Sequence, residues 1–97
     1  MTKHESILAL IARLDLPSRG WAVMDHWEAD LCALGVTSAA HPGRLVYVST
    51  FRFGPDRYHY ALELPPRDPN DVYLPAGEGD DVTFEELLDV MIEHLDG

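Results

Sequence analysis

Two stretches of the sequence, one near each end, repeat apolar residues at helical spacing. The apolar residues are Ile7, Leu8, Leu10, Ile11 and Leu14 in the first stretch, and Phe84, Leu87, Leu88, Met91, Ile92 and Leu95 in the second. Each stretch begins with the spacing of a capping box, Thr2 with Glu5 and Thr83 with Glu86, in which each residue satisfies a free backbone donor of the other. The pattern therefore predicts a helix over about 3–15 and a second over about 83–95.

Between these stretches, residues alternate between apolar and polar in the manner of β-strands. The clearest pair of strands is predicted at 45–53 and 58–64, joined by turn residues at 54–57. The alternation implies one covered face and one solvated face. We expect the aromatic residues of this hairpin on its core side: Tyr47, Phe51, Phe53, Tyr58 and Tyr60.

The remaining segments have less regular patterns. Residues 21–37 predict strands at about 21–26 and 30–37 around a turn or bulge, with a helix over 25–34 as the competing interpretation. Pro17 and Gly20 are expected to stop the first helix. After a proline-rich break, a short edge strand can form at 71–75, followed by a loop at 76–81.

Taken together, these elements predict the order α-β-β-β-β-α. With 97 residues we expect a single domain over 1–97. Tight turns between successive strands favour an antiparallel β-meander of about four strands, with the N-terminal and C-terminal helices packed on one face. The sequence therefore predicts an α+β fold.

The charge of the chain is confined to its last third. Residues 1–67 contain seven acids and seven bases, whereas residues 68–97 contain ten acids and no base, which accounts for the whole formal charge of −10. Two interpretations are open: a solvated face that keeps a small protein in solution, or a surface that steers and docks a basic protein partner. The residues that we assign to this partner-binding surface are Glu78, Asp80, Asp81, Glu85, Glu86, Asp89 and Glu93.

A second polar segment, DHWEAD at 25–30, is a further candidate for partner binding. Trp27 is either an interface anchor, a role in which tryptophan is enriched, or a core residue. Neighbouring residues of a strand point to opposite faces, so Asp25 and His26 are poorly placed to act as an acid–base pair. The secondary candidate patch comprises Asp25, His26, Trp27, Glu28 and Asp30.

Several classes of function are disfavoured by what the sequence lacks. No catalytic motif and no metal-ligand spacing of histidines is present, so we expect no enzyme activity, metal or cofactor. The acidic balance argues against nucleic-acid binding, which needs a basic footprint. No apolar run approaches the roughly 20 residues of a membrane span, and the N-terminus does not resemble a signal peptide. Cys32, the one cysteine, is expected to be a small buried apolar residue in a reducing compartment, which favours the cytoplasm.

Three segments carry a resemblance to known proteins: WAVMDHWEADLCAL at 21–34, the hairpin RLVYVSTF…YHYALEL, and the acidic closing helix FEELLDVMIEHL. In this layout the chain resembles small bacterial immunity proteins of contact-dependent and other polymorphic toxin systems. The resemblance implies that the chain binds and plugs the active site of a cognate toxin, commonly a basic nuclease. The alternatives are an acidic DNA mimic of the anti-restriction kind and a small domain that dimerises through its sheet. Monomer and homodimer both stay open.

Overall fold

The computed structural model describes residues 3–24, 31–41, 43–50, 56–68 and 74–97. In chain order the elements are α1 (Glu5–Leu14), α2 (Leu16–Arg19), β1 (Trp21–Met24), β2 (Ala33–Ser38), β3 (Leu45–Ser49), β4 (Tyr58–Leu64), β5 (Leu74–Val82) and α3 (Phe84–Asp96). The strands form one antiparallel sheet in the order β1-β2-β3-β4-β5. The predicted α+β class is confirmed, with five strands instead of about four.

Helix α1 begins later than its sequence pattern suggested. Its N-cap is His4, whose Nδ1 accepts a hydrogen bond from the Ser6 backbone N–H at 3.1 Å. The prediction of a capping box between Thr2 and Glu5 is therefore wrong, because Glu5 is the first helical residue (Thr2 lies outside the described residues). An imidazole nitrogen satisfies the free donor that a threonine hydroxyl was expected to satisfy.

The end of α1 is followed by a one-turn helix that the sequence did not suggest. Asp15 adopts a left-handed conformation with φ 51°, which ends α1 before Pro17 is reached. Proline fits the first turn of α2 because an N–H there would have no partner within the helix. Gly20, with φ 73°, then ends α2 and not α1.

Strand β5 is the largest departure from the predicted elements. The chain is extended over all of Leu74–Val82, where we expected a short strand and then a loop. Glycine, proline and acidic residues have low strand propensity, but pairing with β4 overrides it. The Tyr60 ring lies over Gly79, where a Cβ atom would overlap it, and two register irregularities accommodate the fit.

The helices cover one face of the sheet. Val46 lies beside Leu62 and Val48 beside Tyr60, so these four side chains share a face with the buried residues of the helices. The members of this core cluster with the least exposure are Ile7, Leu10, Leu14, Leu34, Val36, Val46, Val48, Leu87, Met91 and Leu95. Two members of the predicted helical stripes lie off this core, since Leu8 is 46% exposed and Ile92 39% exposed.

The aromatic residues of the central hairpin do not share one side. Tyr58 and Tyr60 pack on the core as predicted. Tyr47 lies beside Ala61 on the opposite face, with its ring edge-on to His59 at 6.2 Å between centroids, so its predicted core position is wrong. Because β3 is apolar on both faces, alternation alone cannot tell which face the helices cover. Phe51 and Phe53 lie outside the described residues.

The other predicted elements lie close to their expected places. Strand β4 has the predicted bounds, and α3 differs from its predicted range by one residue at each end. Strand β2 excludes a helix that runs to residue 34, because the chain is already extended at Ala33. Residues 25–30, with the predicted turn or bulge and the secondary candidate patch, lie outside the described residues.

Candidate functional site

Helix α3 carries most of the candidate surface, and its start is fixed by a complete capping box. The Thr83 hydroxyl accepts a hydrogen bond from the Glu86 N–H at 3.2 Å. In return the Glu86 carboxylate accepts one from the Thr83 N–H, also at 3.2 Å. The capping box predicted at this position is confirmed, so Glu86 has a structural role in addition to its charge.

The two sides of α3 are chemically opposite. Leu87, Met91 and Leu95 are fully buried against the sheet. Four carboxylates project from the exposed side, and we call them the α3 acidic face: Glu85, Glu86, Asp89 and Glu93. Three of the four recur every four residues, which is a step of about 6 Å along the helix. The buried side therefore holds these charges on a fixed scaffold.

Most of the α3 acidic face has no counter-charge. Among the residues that the structure describes, the carboxylates of Glu85, Asp89 and Glu93 form no ion pair and accept no hydrogen bond. Arg13, near the start of α3, instead pairs with Asp56, and its guanidinium stacks 4.0 Å from the centre of the Phe84 ring. Within the described part of the chain, these three carboxylates are therefore not neutralised by a direct ion pair.

An apolar side chain borders this face. Ile92 follows Asp89 by three residues and precedes Glu93 by one, and it is 39% exposed. Residues three apart on a helix are neighbours on its surface. A partner that approached the carboxylates would therefore also meet an apolar contact, the combination found at protein–protein interfaces.

The other predicted partner-binding residues lie elsewhere. Glu78 is beside Ala61, and Asp80 contacts His59 with Oδ1 at 3.2 Å from Nδ1, so both acids lie on the sheet face opposite the helices. Asp81 lies at the end of β5 with φ 52°, and its Oδ1 is 3.9 Å from Arg57 Nε. The seven predicted residues therefore form two groups, with the sheet between them.

The acids of β5 have a local explanation. Strand β5 is an edge of the sheet, and exposed edges can pair with other chains. Charged residues, proline and register irregularities all hinder such pairing, and β5 contains each of them: Pro75, Glu78, Asp80 and Asp81, with two register shifts against β4. These acids help to keep this edge unpaired.

Asp96 has a structural role that the charge count did not reveal. Its carboxylate accepts hydrogen bonds from Trp21 Nε1 at 3.1 and 3.2 Å and from the Ser38 hydroxyl at 3.2 Å. These bonds fasten the C-terminal end of α3 to β1 and β2. A carboxylate at the C-terminal end of a helix is disfavoured by the helix dipole. From the sequence, this unfavourable position was the signal that hydrogen-bond donors elsewhere in the fold stabilise Asp96.

Arg44 stabilises the same end of α3 with positive charge. Its Nη1 donates to the His94 carbonyl at 3.2 Å and to the Gly97 carbonyl at 3.1 Å. These carbonyls have no partner within the helix, and a cation there is favoured by the helix dipole. His94 Nε2 in turn donates to the Glu63 carbonyl at 2.9 Å.

A shallow depression of about 340 Å³ lies between α3 and β4. Arg44, Tyr60, Glu93 and His94 contribute polar groups to its lining, beside the apolar Leu62, Leu64 and Val90. Arg44 and His94 are already bonded to backbone carbonyls. Their hydrogen bonds explain these groups as parts of the fold, without reference to a ligand.

Tyr58 is a titratable group that the fold shields from water. The side chain is 5% exposed at the start of β4. Burial raises the pKa of the Tyr58 phenol above its usual value, and the negative charges of Asp56 and Glu85 act in the same direction. The Arg13 guanidinium opposes this rise in pKa through its charge and a hydrogen bond.

The described part of the chain contains neither a metal-binding cluster nor a membrane-spanning helix. No group of three histidine, cysteine or acidic side chains is placed there to hold a metal ion. No helix there is both long enough and apolar enough to cross a membrane. Cys32, predicted to be buried, is half-buried, and its carbonyl accepts a hydrogen bond from the Thr50 N–H at 2.9 Å.

Comparisons with known proteins add no relative to this picture. No protein family model, curated protein or solved structure matches the chain. Function is therefore argued from the charge, exposure and anchoring of the residues described above.

Proposed function

We propose that this chain is an immunity-type protein that binds and inhibits a cognate basic toxin through the α3 acidic face. The observation that carries the proposal is that, within the described residues, Glu85, Asp89 and Glu93 have no ion-pair partner, on a helix whose Leu87, Met91 and Leu95 are fully buried. The resemblance of the sequence to small bacterial immunity proteins supports the same class. A nuclease is the favoured toxin, because enzymes that act on nucleic acids are themselves basic.

The spacing of the three acids has an energetic cost that binding would offset. Like charges four residues apart on a helix repel by about 0.2–0.5 kcal/mol per pair. A basic partner would turn this repulsion into attraction and would be steered to the surface, with association about 10 to 1,000 times faster. The α3 scaffold is already ordered, so little conformational entropy is lost in presenting the charges.

We restrict the proposed contact surface from seven residues to those on α3. Glu78 and Asp80 lie across the sheet, and Asp81 is engaged with Arg57. At physiological salt, exposed charges act over about 8 Å, so acids on the far side of the sheet contribute little to a contact at α3. We therefore assign the contact to Glu85, Glu86, Asp89 and Glu93, with Ile92 as its apolar neighbour.

A DNA mimic is the second interpretation of an acidic surface. It would replace the phosphates that a DNA-binding protein contacts, commonly 6–10 of them. From Glu85 to Glu93 the helix advances about 12 Å, which offers only a short row of carboxylates. The short length of the row favours a compact protein partner, such as a toxin domain, over a mimic of DNA. We propose that the two proteins meet in the cytoplasm.

Inhibition of the toxin tests this proposal directly. The probe is a basic nuclease domain of a bacterial toxin, proposed as the cognate toxin and assayed for nuclease activity with increasing amounts of the protein. We expect stoichiometric inhibition by the unaltered chain and a loss of about tenfold in potency for Asp89→Asn/Glu93→Gln, which corresponds to about 1.4 kcal/mol.

A matched control is available on the other side of the sheet. Glu78→Gln/Asp80→Asn changes the net charge by the same two units but leaves the α3 acidic face intact. We expect this variant to inhibit as well as the unaltered chain. Equal losses in the two variants would show that only total charge matters, and a toxin domain that stays active with excess protein would refute the proposal.

A further inference from the structure

The two edges of the sheet are not equally protected against pairing. Strand β5 has acids, a proline and register irregularities at one edge. Strand β1 (WAVM) is the other edge and has no charge and no proline within Trp21–Met24. Its Val23 side chain is 43% exposed although it is on the sheet face that the helices cover elsewhere. An uncharged edge of this kind can accept another strand.

The hydrogen-bond pattern shows which groups of β1 face outward. The Gly20 carbonyl accepts a hydrogen bond from the Ala39 N–H at 3.1 Å. Bonded and non-bonded pairs alternate along an antiparallel ladder, so Ala22 is the next residue bonded to β2. Trp21 and Val23 therefore direct their backbone N–H and C=O groups away from β2, where the described residues supply no partner for them.

We propose that β1 pairs antiparallel with β1 of a second copy of this chain, with Ala22 facing the partner's Ala22 across a two-fold axis. In this register Trp21 pairs with the partner's Val23, and Val23 with the partner's Trp21. Each pair exchanges two backbone hydrogen bonds, so the four outward groups of each copy are all satisfied. Val23 gains the edge of the partner's Trp21 as an apolar neighbour, because residues directly opposite share a face.

A second copy fits this edge better than the basic partner proposed for α3. Strand β1 has no charged side chain of its own, whereas the α3 acidic face has four carboxylates. The acidic strand β5 is four strand spacings away, about 19 Å, so pairing at β1 puts the acidic edges of the two copies far apart. The contact is short, so we expect a weak dimer with Kd of about 10 µM to 1 mM.

Sedimentation over a range of concentrations tests the proposed dimer, with variants that separate the edge from the fold. Val23→Lys places a charge on the edge, and Val23→Pro removes an N–H that the monomer does not use. Leu8→Lys is the matched control, because Leu8 is equally exposed, at 46%, but lies on α1. Circular dichroism of each variant establishes that it is folded before sedimentation is interpreted.

We expect the unaltered chain and Leu8→Lys to pass from 10.9 kDa towards twice that mass as concentration rises, and both Val23 variants to stay monomeric. Hydrogen exchange at the Trp21 and Val23 amides should slow with concentration. Added salt should strengthen the dimer, because it screens the repulsion between two copies of charge −10, whereas it should weaken toxin binding. A chain that stays monomeric up to millimolar concentration, or folded Val23 variants that still dimerise, would overturn the proposal.

Discussion

The residues on the buried and the exposed sides of α3 have different physical explanations. On the buried side, Leu87, Met91 and Leu95 are completely covered, and packing determines which residues are acceptable. On the exposed side, packing imposes no choice, yet Glu85, Asp89 and Glu93 repeat one charge without a base among them. The stability of the fold therefore explains the apolar residues on the buried side. It does not explain the row of acids on the exposed side, which we attribute to function.

The largest effect on stability is expected from truncating a side chain on the buried side of α3. Met91→Ala should lower the free energy of unfolding by about 2–5 kcal/mol, because it removes a fully buried side chain and leaves a cavity. Denaturant unfolding measures the change. Ile92→Ala is the neighbouring control, and its cost should be well below that of Met91→Ala because Ile92 is partly exposed. Equal costs would show that the two sides of α3 are not distinguished by packing.

Asp96 should behave unlike the other acids of the helix. Asp96→Ala removes the acceptor of the Trp21 indole N–H and the Ser38 hydroxyl and should cost about 1–3 kcal/mol of unfolding free energy. Asp89→Ala removes no such contact and should raise stability slightly, because it relieves the repulsion with Glu85 and Glu93. Thermal or denaturant unfolding of the two variants gives the comparison, which fails if Asp96→Ala is as stable as Asp89→Ala.

Alkaline pH should weaken the packing near the start of α3 through Tyr58. Its pKa is raised by burial in the folded state, so the folded protein holds the phenol proton more tightly than the unfolded chain does. The resulting stabilisation is present below pH 10 and is lost as the pH rises through the folded-state pKa. Tyr58→Phe should flatten the fall in unfolding free energy above pH 10. An identical alkaline fall in this variant would assign the effect to other groups.

The smallest effect on stability is expected from reversing one charge on the exposed side of α3. Asp89→Lys replaces two repulsive pairs, with Glu85 and Glu93, by attractive ones and should raise the unfolding free energy by about 0.8–2 kcal/mol. The same change should weaken toxin inhibition, because it places a cation at the centre of the proposed contact. Inhibition that stays at full strength would separate the α3 acidic face from the function we propose.

The elements predicted best are those in which local pattern and tertiary environment agree. The residues of β4 alternate between larger apolar side chains and smaller or polar ones, and α3 has a full apolar stripe behind a capping box, so each was evident from the sequence. Strand β5 could not be predicted, because its extended form depends on Tyr60 packing over Gly79, a contact between different strands. The core position predicted for Tyr47 was wrong for a similar reason, since β3 is apolar on both faces.

The residues of the candidate site also include some that the sequence identified and some that it could not. Counting charges located the acidic third of the chain and the row of Glu85, Asp89 and Glu93 on a helix. It could not separate Asp96, which is used to fasten α3, or Glu78, which lies across the sheet. Both distinctions depend on strand register and on hydrogen bonds between distant residues, which composition and periodicity do not encode.

The salt dependence of toxin binding is the most direct test of the α3 acidic face as a docking surface. Calorimetry at low and high salt would compare the unaltered chain with Asp89→Asn/Glu93→Gln and with Glu78→Gln/Asp80→Asn, using the same basic nuclease domain as the partner. We expect affinity to fall steeply with salt for the unaltered chain and for the Glu78/Asp80 variant, and weakly for the Asp89/Glu93 variant. Affinity that is indifferent to salt, or lost equally in both variants, would contradict the account.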